Sequence, residues 1–191
     1  MNKIAIFASG TGTNFDAIIK NIENDYLLDT SVVLLVCDHP NALVIEKAKA
    51  KNIDVFAFTP KNYESKDEYE KEIVAKCKDR NVDLIVLAGY MRILSNRLLD
   101  SYPNEIINVH PSLLPAFKGK DAIGQAIAYG VKVMGVTIHY VNAEMDGGKI
   151  IAQRAFDVLD EYSKEEIEQR VHSVEHRLYS EVIKKLLEVE D

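Results

Sequence analysis

Asn108 and His110 stand two residues apart in an apolar run, IINVHPSLLP, and an aspartate follows at Asp146 in the segment MDGG. Residues i and i+2 of a strand face the same way, so an amide donor and an imidazole are expected to project side by side. Pro111 has no N–H to give to a sheet ladder. The strand should therefore stop there and leave His110 at its carboxyl end, where open α/β sheets bind ligands. A carboxylate beside an imidazole favours the charged ring and readies it for proton exchange. An asparagine N–H can stabilise a developing oxyanion, as in acyl transfer. Together Asn108, His110 and Asp146 suit attack on a carbonyl carbon without a metal or a covalent nucleophile. Gly147 and Gly148 would let the backbone beside Asp146 approach a ligand closely, although a plain hairpin turn uses glycines too.

A second constellation is the turn SGTGTN, Ser9 to Asn14, between an apolar run and a helical pattern. Gly10 and Gly12 remove side chains that would block a ligand, and a helix start offers unpaired N–H groups and a positive dipole end to an anion. A phosphate site is the natural reading; a tight turn capped by Thr13 or Asn14 is its rival. The third glycine of a dinucleotide fingerprint would fall at Phe15 and is absent. Asp38 could imitate the ribose-binding acid of that fingerprint. In LAGYMRIL, Leu87 to Leu94, Tyr90 and Met91 read as packing residues and Arg92 as solvated. His172 and His176 have helical i, i+4 spacing, but two ligands without a third are not a metal site. His139 reads as structural, and FKGKD, Phe117 to Asp121, as a solvated loop.

The elements that must position these groups follow from the hydrophobic pattern. Short β-branched runs alternate with helical patterns, the mark of βαβ units on a mostly parallel sheet. Strands are expected at Lys3 to Ala8, Ser31 to Cys37, Asp54 to Phe58, Asp83 to Ala88 and Ile106 to Val109. Ser65 with Glu68, and Ser163 with Glu166, read as capping boxes opening two helices, the first running to about Arg80. In the last helix Ile167, Val171, Val174, Leu178, Val182 and Leu186 recur at spacings of three and four, giving one apolar face. After Gly130, VMGVTIHYV and KIIAQRAF are separated by only NAEMDGG, which predicts an antiparallel hairpin with Asp146 at its tip. The expected fold is α/β: a three-layer, Rossmann-like, mostly parallel sheet of about seven strands with an antiparallel hairpin on its carboxyl-terminal side.

At 191 residues and 47% hydrophobic composition the chain can bury one good core, and residues 1–191 are expected to form a single domain. No apolar stretch approaches a membrane span, and the opening run ends at Ser9 and Gly10 without a cleavage-type region. Cys37 and Cys77 are lone thiols that fit a reducing cytoplasm. A net charge of −7 argues against a broad nucleic-acid face, although a local pocket for one phosphate is compatible with it.

With SGTGTN, LAGYMRIL, INVHPSLLP, MDGG and SVEHRLY in this order, nearly the whole chain resembles the folate-dependent formyltransferases. HPSLLP marks the wider group; the Gly-rich first turn resembles the glycinamide ribonucleotide branch. The chain has no room for the second domain of the methionyl-tRNA enzymes or the regulatory domain of the formyltetrahydrofolate hydrolases. The resemblance implies a phosphate loop at Thr11, Gly12, Thr13 and Asn14, with Glu175 helping to hold the ribonucleotide. It implies folate binding by the backbone of Met91, Arg92, Ile93 and Leu94, with Asn108 near the formyl group. Lys66 matches a basic residue near the folate tail that is Arg in some members, and a Lys gives a point charge rather than a fork. The loop Ala116 to Gly124 departs from a His-containing version found in some members.

The implied activity is formyl transfer from 10-formyltetrahydrofolate, as co-substrate, to the amine of 5-phosphoribosylglycinamide in purine synthesis, with no metal. The implied setting is a cytoplasmic monomer or homodimer whose partners are those two small molecules, with no nucleic acid and no membrane. Two rival readings are compatible with the same residues: hydrolysis of the same donor by water, and a non-catalytic nucleotide-binding module in which His110 is merely packed.

Overall fold

Ile4 to Ala8 are each fully buried in strand β1 (Asn2–Ala8), as a near-continuous apolar run must be when a parallel strand is covered on both faces. The computed structural model describes residues 1–188, in two compact units that divide between Asn108 and Val109. In the first unit β1 leads to α1 (Thr13–Glu23), β2 (Thr30–Cys37), α2 (Leu43–Ala50), β3 (Val55–Ala57), α3 (Lys66–Asp79), β4 (Leu84–Leu87) and α4 (Asn96–Ser101). Strand β5 (Ile106–His110) runs through the boundary, and the second unit continues with α5 (Ala122–Tyr129), β6 (Val133–Tyr140), β7 (Ile150–Asp157) and α6 (Lys164–Leu187).

The seven strands form one sheet in the order β3-β2-β1-β4-β5-β6-β7. β1 pairs in parallel with β2 and β4, β2 with β3, and β4 with β5. β6 and β7 pair antiparallel, so the sheet is mixed and Rossmann-like, as the hydrophobic pattern predicts. Their register shifts between Ile138 and His139, placing a local irregularity beside an imidazole. β5 runs one residue further than expected and includes His110; Pro111 ends it.

The helix starts show how far a capping signal carries. At α6 both halves of the box form: Glu166 N donates to Ser163 Oγ at 3.2 Å, and Ser163 N donates to Glu166 Oε2 at 2.7 Å. At α3 only the first half forms, with Glu68 N donating to Ser65 Oγ at 3.3 Å. Glu68 Oε2 instead accepts from Glu64 N at 3.0 Å, one residue before the expected partner. Along α6, Ile167, Val171, Val174, Leu178 and Val182 are buried, and Tyr179 and Ile183 widen the stripe. Leu186, in the last turn, is only partly covered.

Replacing Ser163 by Ala removes one half of the α6 box and leaves a first-turn N–H without its side-chain acceptor. Stability should fall by about 1 kcal/mol, read as a lower urea midpoint with an unchanged slope. An unmoved midpoint would show that the cap contributes nothing.

Candidate active site

In the second unit Asp146 lies close to two imidazoles. His110 Nδ1 is 3.5 Å from Asp146 Oδ2, and His139 Nε2 is 3.8 Å from Asp146 Oδ1. Both are longer than an ordinary hydrogen bond and bring the rings only within ion-pair range of the carboxylate. The firm bond to this carboxylate comes from the backbone: Gly119 N donates to Asp146 Oδ2 at 2.8 Å. The hairpin that carries Asp146 turns sharply. Asp146 itself has a φ of 50°, and a Cβ on Gly148 would run into the carbonyl of Tyr140, so glycine is required there.

The far side of the His110 ring is also engaged. Nε2 lies 2.8 Å from the carbonyl oxygen of Phe117, which can only accept, so Nε2 carries a hydrogen. With a carboxylate beside Nδ1 and a carbonyl at Nε2, both ring nitrogens face acceptors. Asn108, two residues earlier on β5, pairs in the ladder with Leu87 and is partly exposed.

His139 has the structural setting its strand position suggests, and it also faces Asp146. It is buried and its Nδ1 donates to the carbonyl of Tyr140 at 2.8 Å, which turns Nε2 toward Asp146. Burial pushes its pKa down, and the Tyr140 bond and Asp146 only partly offset this. The strand alternation gave no sign of it, because the aspartate it faces sits in the following hairpin tip. The FKGKD segment is likewise more than a solvated loop. Phe117 and Gly119 hold His110 and Asp146, Lys118 Nζ pairs with Glu144 at 3.1 Å, and Asp121 caps α5. These are mostly backbone contacts, which side-chain types do not announce.

Glu175 on α6 is buried and accepts from His172 Nδ1 at 3.0 Å. That bond, against the opposing effect of burial, raises the His172 pKa. His172 and His176 therefore have no metal-pair geometry: their rings stack with centroids 6.4 Å apart. Among the described residues no group of three or more His, Cys, Asp or Glu side chains could hold a metal ion.

In the first unit the turn after β1 opens α1 without a side-chain cap. Gly12 itself is the N-cap, with a φ of 78°, and neither Thr13 nor Asn14 caps the helix. A Cβ on Gly12 would lie 2.6 Å from Val44 Cγ2, so the turn packs against α2 too closely for any other residue. Thr11 and Thr13 are exposed, and the buried Oδ1 of Asn14 has no hydrogen-bond partner. The first-turn N–H groups are thus left to a ligand or solvent, as an anion site requires.

Met91 to Leu94 form an irregular segment between β4 and α4; Met91, Arg92 and Ile93 are exposed, whereas Leu94 is buried. Two buried carboxylates flank this segment. Glu70 accepts from both Ser95 N (3.0 Å) and Ser95 Oγ at the α4 cap, and Lys66 Nζ approaches Glu70 at 3.9 Å. Asp38 accepts from Arg92 Nε at 2.7 Å, from Ser9 Oγ at 2.5 Å and from His39 Nδ1 at 2.9 Å. Arg92 is therefore paired rather than simply solvated, and Asp38, with a fully buried side chain, is spent internally rather than offered to a ribose. Burial raises the Asp38 carboxyl, but its three donors outweigh that and hold it below the ordinary range.

The sequence matches the formyl transferase family over residues 2–183. It is 52% identical over 187 residues to the phosphoribosylglycinamide formyltransferase of Bacillus subtilis, covering 98% of this chain and 95% of that one. Among solved structures, it is similar to the phosphoribosylglycinamide formyltransferase of Bacillus halodurans, with a TM-score of 0.94 and 48% identity over 100% of this chain and 97% of that one. It is similar also to glycinamide ribonucleotide transformylase 1 of Geobacillus kaustophilus, with a TM-score of 0.94 and 50% identity over 98% and 99% of the two chains.

The two histidines shifted in opposite directions should separate in an NMR titration of the imidazole resonances. His172 should titrate above the ordinary 6.5 and His139 below it. The raised His172 value stabilises the fold below about pH 6.5 and loses that contribution as pH rises through its folded value. The lowered His139 value acts oppositely: its contribution is present above about pH 6.5 and is lost as pH falls through its folded value. The reverse order of titration would contradict both environments.

Proposed function

The chain belongs to the formyl transferase family, and on that footing we propose how its residues carry out the family's chemistry. It transfers a formyl group from 10-formyltetrahydrofolate to the amine of 5-phosphoribosylglycinamide, giving the formylated ribonucleotide and tetrahydrofolate, a step of purine biosynthesis. No metal takes part. The observation that carries the residue roles is the pairing of His110 Nδ1 with Asp146, which makes Nε2, bonded here to the Phe117 carbonyl, the nitrogen that turns to substrate.

The unprotonated amine attacks the formyl carbon and a tetrahedral oxyanion forms. His110, charged and held by Asp146, donates from Nε2 to that oxygen, and the Asn108 amide gives a second N–H. For this the formyl oxygen replaces the Phe117 carbonyl as the acceptor at Nε2. Collapse breaks the bond from carbon to the folate nitrogen. The proton lost by the amine reaches that nitrogen through His110 or an ordered water. Orientation of the two substrates supplies much of the acceleration.

Each unit contributes its own binding groups. Thr11, Gly12, Thr13 and Asn14 take the ribonucleotide phosphate on the uncapped first turn of α1, and Glu175 helps hold the ribonucleotide. Met91, Arg92, Ile93 and Leu94 offer backbone groups to the folate, and Lys66 a charge to its tail. The chain, residues 1–191, acts as a single formyltransferase domain. It works in the cytoplasm as a monomer or homodimer, on two small molecules and without nucleic acid or membrane. No helix among the described residues is long and apolar enough to cross a membrane.

Incubation with 10-formyltetrahydrofolate, with and without the ribonucleotide, should release tetrahydrofolate only when the ribonucleotide is present. Release without it would mean hydrolysis, and no release a binding module. Asp146→Asn removes the charge that supports His110 and should lower turnover by roughly a hundredfold or more in a folded protein. Near-normal turnover would overturn the assigned role.

A further inference from the structure

Asp38 is the last link of a chain of bonds that begins on the folate-binding segment. Met91 N donates to Ser9 Oγ at 2.9 Å, and Ser9 Oγ donates in turn to Asp38 Oδ1 at 2.5 Å. The next residue, Arg92, reaches the other oxygen of the same carboxylate through Nε at 2.7 Å. Two consecutive residues of an otherwise irregular segment are thus tied, one through the backbone and one through its side chain, to a single carboxylate after β2. Ser9 also stands at the head of the SGTGTN turn, and its N–H donates to Gly89 O at 3.2 Å.

The need for such a clamp follows from the segment itself. Met91 is 68% exposed, and the segment has neither helix nor strand bonds to fix its shape. No hydrogen bond within the described residues uses the N–H of Arg92, Ile93 or Leu94. Backbone donors meant for a ligand are useful only if their direction is set beforehand, because ordering them on binding costs affinity. A buried carboxylate makes an effective anchor, since its two oxygens accept from several donors and removing those donors leaves it uncompensated.

We propose that Asp38 is a positioning residue for the formyl donor, fixing the Met91–Leu94 backbone through Ser9 and Arg92. Asp38 touches neither substrate. It sets the direction of the N–H groups that do, and through Ser9 it ties that segment to the turn assigned to the phosphate. This rests on the assignment of Met91 to Leu94 to folate given above.

The test uses Ser9→Ala, which removes only a hydroxyl, and Asp38→Asn, which keeps the shape of the side chain and removes its charge. Each should raise KM for 10-formyltetrahydrofolate by roughly ten- to a hundredfold, the loss expected for hydrogen bonds to a charged group, with a much smaller change in KM for the ribonucleotide. Amide hydrogen exchange supplies a readout independent of activity: exchange at Met91 should accelerate at least tenfold in both variants while the amides of β1 keep their protection. An unchanged donor KM with an unchanged Met91 rate would overturn the clamp. So would an equal loss in both KM values accompanied by faster exchange throughout the first unit, since that is general destabilisation. If the unsubstituted protein releases no tetrahydrofolate, the assigned reaction fails. Met91 exchange then still decides whether the clamp exists, and the positioning role falls with the reaction.

Discussion

A carboxylate removed from water must be met by donors or it will not stay charged, and the second unit is arranged around meeting that demand at Asp146. Gly119 N–H makes the short bond, while His110 and His139 face the two oxygens at longer range. The left-handed backbone at Asp146 and the glycine required at position 148 form a turn sharp enough to bring the carboxylate to this place. The register shift at His139 lies on the paired strand beside it. One constraint thus accounts for the hairpin, the loop contact and the placing of two imidazoles beside the carboxylate.

The same rule operates in the first unit with a different outcome. Asp38 and Glu70 are buried acids whose donors are fully internal: Ser9, Arg92 and His39 for one, Ser95 for the other. Each holds an end of the segment between β4 and α4, and neither has spare capacity for a ligand. On the proposed assignment, binding there is left to backbone groups and to Lys66, while the two acids tie the segment's ends. Asp146 differs because it faces an imidazole whose other nitrogen bonds only a loop carbonyl, that of Phe117.

The fold was legible in the sequence where one physical cause dominates. The continuous apolar run at Ile4 to Ala8, the α6 stripe and the two runs around MDGG each specify their element, and the structure agrees to within a residue or two at the strand ends. The His110 and Asp146 pairing was legible because strand alternation and a Pro stop fix one partner and a Gly-Gly turn marks the other. What stayed hidden was whatever depends on which loop meets which. Arg92 looked solvated, since nothing near it in sequence says that Asp38, on another strand end, is its partner. Glu68 looked like a complete capping box, but its carboxylate prefers the N–H of Glu64. His139 and the FKGKD loop looked inert because their contacts to Asp146 and His110 are made across a hairpin and through backbone atoms.

The central claim is that His110, set by Asp146, gives its Nε2 hydrogen to the oxygen of the attacked formyl group. A crystal structure with a folate analogue that bears a tetrahedral adduct in place of the formyl carbon tests this directly. The tetrahedral oxygen should lie about 3 Å from His110 Nε2, with the Phe117 carbonyl withdrawn and the Asp146 contact to Nδ1 kept. An oxygen out of reach of Nε2, with Phe117 still bound there, would contradict the account.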